Sequence, residues 1–145
     1  MAGGAVSIVI RRPVSDVFEY MNDVSREHEW QPTLLDARQE PAGPTAVGSR
    51  RSYRSEFMGR TVENTYVVRV WEPNRRLVLE STPDSTLDAK SEVRWEAVDG
   101  GTRVTMTVEG SPKGAMRLVP RKLLEATMEK ETKDALARLK KALES

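Results

Sequence analysis

The stretch PRKLLEATMEKETKDALARLKKAL, Pro120–Leu143, decides the fold. At 100° per residue, Leu124, Thr127, Met128, Glu131, Ala135, Arg138, Leu139 and Ala142 fall on one stripe, while Lys130, Lys133, Lys140 and Lys141 lie mostly off it. Pro120 suits a helix start, and the basic residues crowd the end that the helix dipole makes negative. The pattern predicts one long amphipathic helix of roughly 36 Å. Such a helix needs an apolar surface to cover.

Everything from Leu34 to Gly110 reads as strands that supply that surface. Apolar and polar residues alternate, the period of a half-buried strand. Leu87, Ala89, Ser91, Val93, Trp95 and Ala97 face one way, and Asp88, Lys90, Glu92, Arg94 and Glu96 the other. Asp99-Gly100-Gly101 is a hairpin signal, after which Val104, Met106 and Val108 again face inward. Tyr53, Ser55 and Phe57 share a face with Ser49 and Arg51. Val62, Asn64, Tyr66, Val68 and Val70 line one face of the next strand, and Leu77 and Leu79 one face of the strand after it. Met58-Gly59 reads as a tight turn, Pro73-Asn74 as a type I turn, and Pro41-Ala42-Gly43-Pro44 as a loop.

Ahead of this meander, Val6, Ile8 and Ile10 mark a strand. Pro13 then opens a short helix with the stripe Val14, Val17, Phe18 and Met21, and Val24–Trp30 is a second short helix ending before Pro32. The order is strand, two short helices, six strands, long helix. It predicts an α+β protein with a seven-stranded curved antiparallel sheet, wet on one face and gripped by the long helix on the other. A curved sheet is not filled along its whole length by one helix, so a cavity, or large side chains plugging it, is expected between the two.

Composition narrows the function. The 145 residues fit one domain, 1–145. Lys and Arg number 23 and Asp and Glu 22, a net charge of +1, without the basic excess that nucleic acid demands. There is no cysteine, which excludes disulfides, thiolate nucleophiles and cysteine-ligated metals. No run approaches the ~20 apolar residues of a membrane span, and Met1–Ser7 lacks the pattern of a secretory signal, so a cytoplasmic protein, monomer or homodimer, is expected. No glycine-rich stretch matches a phosphate or dinucleotide fingerprint. The single histidine, His28, sits beside no evident nucleophile and cannot by itself build a zinc site. Neither a metal nor a cofactor is expected, and no catalytic residue is identifiable.

Five stretches resemble the START-related helix-grip superfamily called SRPBCC, in its polyketide cyclase/dehydratase-like branch. They are Ile10–Phe18 (IRRPVSDVF), Asn22-Asp23-Val24 through Glu29-Trp30-Gln31-Pro32, Val47-Gly48-Ser49, Trp71–Leu77 (WEPNRRL, with Asn74 where the family has a second proline) and Gly100–Val104. The resemblance implies a helix-grip fold around a ligand cavity, and a small hydrophobic molecule of lipid, polyketide or aromatic type as the partner. It also implies two alternatives, a polyketide aromatase/cyclase and a protein-interaction module. In the family the residue matching Trp30 lies beside the pocket entrance; it could equally pin the second helix to the sheet.

The expected ligand-binding set is Trp30, Tyr53, Phe57, Asn64, Tyr66, Leu79, Trp95, Met106, Met128 and Glu131: apolar walls with a few polar groups, as small-molecule sites require. Glu131 is the anomaly. It falls in the centre of the apolar stripe, where a carboxylate needs a partner or water. Two readings are open. It projects into the cavity with a raised pKa, or its stem covers the mouth while its head reaches water or pairs with an arginine such as Arg51.

Overall fold

The computed structural model describes residues 2–145, and every side chain in that range but those of residues 2, 3 and 115. Met1, the first residue of the stretch read for a secretory signal, lies outside it. Seven strands form one antiparallel sheet in the order β1-β7-β6-β5-β4-β3-β2, with β1 Ala2–Ile10, β2 Leu34–Glu40, β3 Arg50–Phe57, β4 Arg60–Glu72, β5 Arg76–Ser81, β6 Leu87–Val98 and β7 Gly101–Pro112. Helix α1 (Val14–Met21) and a 3-10 helix (Val24–Glu29) connect β1 to β2; a second 3-10 helix (Gly114–Leu118) leads into the long helix α2, Arg121–Glu144. The expected helix-grip architecture is the observed one. The first strand is longer than its alternation signals, because the Ala-Gly-Gly-Ala sequence of Ala2–Ala5 carries no apolar/polar alternation while its backbone continues the ladder to β7.

The connections follow local chemistry. Met58 and Gly59 both take positive φ, at 54° and 77°, closing a two-residue hairpin between the paired Phe57 and Arg60. Pro73-Asn74 is a type II turn rather than the expected type I. Asn74 has φ of 63°, Pro73 precedes it, and Arg75 donates its N–H to the carbonyl of Glu72. A proline at position 74 could not adopt that φ. Register breaks in β2 between Leu34 and Asp36, and in β4 between Val68 and Val70, mark bulges of the kind that bend a sheet.

Two apolar clusters flank what the sheet leaves unfilled. The larger joins Val68, Leu77, Val93, Trp95 and Val104 of the sheet to Val17, Phe18 and Met21 of α1, to Trp30, and to Ala135, Leu136, Leu139 and Leu143 of α2. The smaller joins Phe57, Val62, Met116 and Leu124. The C-terminal half of α2 therefore seals the core, and its N-terminal half stands over the gap. The buried stripe of α2 is rotated from the expected one. Thr132, Leu136 and Leu143 are buried, whereas Arg138 and Ala142 are exposed. α2 packs most closely against β1, at one edge of the sheet, so its buried side is set by that strand as well as by the curved face.

Gly100 and Gly101 serve different ends. Gly100 supplies the positive φ of 80° in the β6–β7 hairpin. A Cβ on Gly101 would stand 2.1 Å from the backbone oxygen of Ile10. Backbone cannot yield as a side chain does, so Gly101→Ala is expected to cost about 1–3 kcal/mol. Urea denaturation of the variant measures it, and a midpoint within error of the parent's would contradict the close approach.

Candidate functional site

The gap is a cavity of about 230 Å³ between the sheet and the N-terminal half of α2. Its apolar wall includes Phe57, Val62, Leu79, Leu87, Met106, Val108, Leu124 and Met128. Eight of the ten expected residues line it: Tyr53, Phe57, Asn64, Tyr66, Leu79, Met106, Met128 and Glu131.

Trp30 and Trp95 do not, and this corrects the expectation for both. Trp95 points inward from β6 as its alternation demands, but α1 occupies the space above it. Phe18 meets its indole edge-on at 4.7 Å between ring centres, and its Nε1–H points at the sulfur of Met21, 3.2 Å away. Trp30 is buried in the same core, pinning the 3-10 helix to the sheet. Its Nε1–H has no hydrogen-bond partner among the described residues.

The polar lining includes Glu27, Tyr53, Asn64, Tyr66 and Glu131. Glu27 of the first 3-10 helix is 5% exposed, and its Oε1 accepts the hydroxyl hydrogen of Tyr53 at 3.0 Å. Burial raises its pKa to about 7; the charge of Arg51 and the bonds from Tyr53 and Gln31 pull the other way. Burial, with the Glu27 charge, pushes the Tyr53 phenol well above its ordinary value. The Tyr53 and Tyr66 rings meet edge-on at 5.8 Å.

Behind this pair lies Arg51, 1% exposed. It donates to Oε1 of Gln39 at 3.0 Å, to Oδ1 of Asn22 at 3.2 Å and to Oγ1 of Thr45 at 3.1 Å. Those acceptors line an open surface groove between α1 and the segment 37–45, so Arg51 stands between groove and cavity. It makes no ion pair with Glu131, the partner considered from sequence.

On α2, Glu131 is half-buried and lines the cavity, so it stands where the cavity meets solvent, at its mouth. Burial raises its pKa to about 7, opposed by Lys130 and aided by Asp134. Lys130 is itself paired to Asp134 at 3.3 Å. Asn64, expected to contact ligand, is committed elsewhere. Its Nδ2 donates to the Leu87 carbonyl and the Tyr66 hydroxyl, and its Oδ1 accepts the Leu87 N–H, at 3.0, 3.1 and 3.0 Å. It staples β4 to the start of β6 and leaves the Tyr66 O–H hydrogen free for an acceptor in the cavity.

Sequence reasoning passes over Glu27 and its neighbour Gln31. A signal exists. Val24, Glu27 and Trp30 recur every three residues, a spacing that puts Glu27 on the same side as two apolar residues in a 3-10 helix and in an α-helix alike. His28, the residue weighed there, is exposed. Among the described residues, no group of three acidic or histidine side chains is placed to hold a metal ion, and no helix is long and apolar enough to cross a membrane.

Residues 1–144 match the family model described as polyketide cyclase / dehydrase and lipid transport. A comparison with curated proteins finds no match. Among solved structures, TTHA0849 from Thermus thermophilus superposes with a TM-score of 0.82 at 16% identity, covering 97% of this chain and 96% of its own. A START superfamily protein from Mycobacterium smegmatis gives 0.81 at 11% identity over 99% and 98%. The Zhui aromatase/cyclase from Streptomyces sp. R1128 gives 0.80 at 16% over 98% and 93%. Identities this low bear on fold alone.

Proposed function

The chain belongs to the polyketide cyclase / dehydrase and lipid transport family, and we propose that it binds a small hydrophobic molecule in the cavity between its sheet and α2. The observation that carries this reading is the cavity itself. It is too large to be a packing defect, and its lining combines a mostly apolar wall with interspersed polar side chains. A cavity of about 150 Å³ accommodates benzene, so 230 Å³ suits a substituted single ring or a short chain. Burial of apolar surface supplies the affinity at roughly 25 cal/mol per Å² before the costs of association.

The test is thermal stabilisation by a panel of apolar compounds, with native mass spectrometry of the purified protein. A ligand present at about a hundred times its Kd raises the melting temperature by on the order of 5–10 °C. Ser91→Phe, which puts a ring into the cavity from β6, abolishes that rise and leaves the fold intact. Stabilisation that survives Ser91→Phe would sink the reading.

A second reading, a polyketide cyclase-type enzyme, is favoured by one arrangement. Glu27 and Tyr53 form a hydrogen-bonded pair at the cavity wall, and the carboxyl has a pKa suited to proton transfer near neutrality. Under this reading Glu27→Gln loses turnover of a poly-β-keto surrogate while ligand binding persists.

A further inference from the structure

The charge of the cavity lining is one-sided. Its titratable groups include three carboxyls, Glu27, Glu56 and Glu131, and among the described residues no lysine, arginine or histidine lines it. Arg51, the nearest buried cation, has its guanidinium nitrogens turned to Gln39, Asn22 and Thr45. The three carboxyls are not equivalent. Glu27 is bonded by Tyr53. Glu56 is exposed and accepts from Thr61 at 3.4 Å. Glu131 has neither a hydrogen bond nor an ion pair among the described residues, since its neighbours Lys130 and Asp134 satisfy each other.

Resting on the cavity-binding reading, we infer that Glu131 sets the charge specificity of the site, and that the ligand is an apolar amine whose ammonium sits against this carboxylate at the cavity mouth. Two features converge on it. An anionic amphiphile such as a fatty acid would bring its charge among three carboxyls, and the nearest buried cation, Arg51, is already engaged by Gln39, Asn22, Thr45 and the charge of Glu27, so like charges would meet without a free partner. An ammonium instead supplies the donors that Glu131 lacks, in charge-assisted bonds stronger than neutral ones. The apolar body then lies inward along Met128, Leu124 and Phe57. Burial disfavours the ionised form of Glu131, and an ammonium reverses that preference.

The test uses three probes of one shape: 3-phenylpropylamine, 3-phenylpropan-1-ol and 3-phenylpropanoate, titrated at pH 7.5 by calorimetry and by NMR shifts of cavity residues. The amine is expected to bind about tenfold more tightly than the alcohol, and the carboxylate more weakly than both. Glu131→Gln is expected to bring the amine to the affinity of the alcohol and leave the alcohol unchanged. Alcohol binding equal to or tighter than that of the amine, or amine binding indifferent to Glu131→Gln, overturns the inference and leaves the apolar-cavity reading standing. Failure of all three probes, together with the wider apolar panel, overturns the cavity reading and the inference with it.

Discussion

Replacing Arg51 by methionine lowers the stability of the fold by about 3–5 kcal/mol, the cost of disrupting a buried charged network by removing one member. The side chain is 1% exposed and serves three acceptors on three separate segments, Asn22, Gln39 and Thr45. Methionine fills much of the volume and bonds none of them. Each acceptor left dry costs about 1–3 kcal/mol unless water reaches it, and their place beside the surface groove lets some recover. The remaining loss comes from Glu27, whose charge Arg51 favours. Urea denaturation at pH 7.5 measures the change. A loss under about 1 kcal/mol would show that the network adds little to stability.

Glu27→Gln is expected to act in the opposite direction and to depend on pH. The folded-state pKa of Glu27 is raised from 4.5 to about 7. Below pH 4.5 both folded and unfolded chains hold the proton, so the group contributes nothing. Between 4.5 and about 7 the unfolded chain gives up its proton first, and stability falls as pH rises. Above 7 the penalty is complete, about 3 kcal/mol at 1.36 kcal/mol per pKa unit. Glutamine keeps an oxygen to accept from Tyr53 and carries no charge. The variant is therefore expected to match the parent near pH 4 and exceed it by about 3 kcal/mol at pH 8. Denaturation midpoints of the two proteins across that range test it; parallel curves would refute the buried, proton-holding Glu27. Arg51→Met made in the Glu27→Gln background is expected to cost less than in the parent, by the roughly 0.5–3 kcal/mol typical of coupled neighbours.

These residues separate what is legible in the sequence from what is not. The alternation from Leu87 to Val108 reports one wet face and one dry face directly, because side chains along a strand point to opposite sides. The three-residue spacing of Val24, Glu27 and Trp30 is ambiguous, since it suits a 3-10 turn and an α-helix alike. Alternation with Tyr53 and Phe57 puts Arg51 on the inward face of β3. Its partners come from the C-terminal cap of α1, from β2 and from the loop after β2, whose positions no local pattern encodes. For Trp95 the pattern yields the correct face and the wrong neighbour, since alternation gives direction and says nothing of what stands opposite.

The sequence by itself determined the element order, the seven-stranded antiparallel sheet and the long covering helix, because periodicity, turn residues and breakers act through contacts within a few residues. Only the tertiary structure decided which part of α2 seals a core and which part roofs a cavity, and that Glu27 is buried while His28 is exposed. It also decided that Glu131 is left unpaired at the mouth and Arg51 is enclosed behind the wall. Each of those outcomes depends on the sheet's curvature and on segments far apart in the chain, which local spacing at most hints at, as for Glu27, and does not decide.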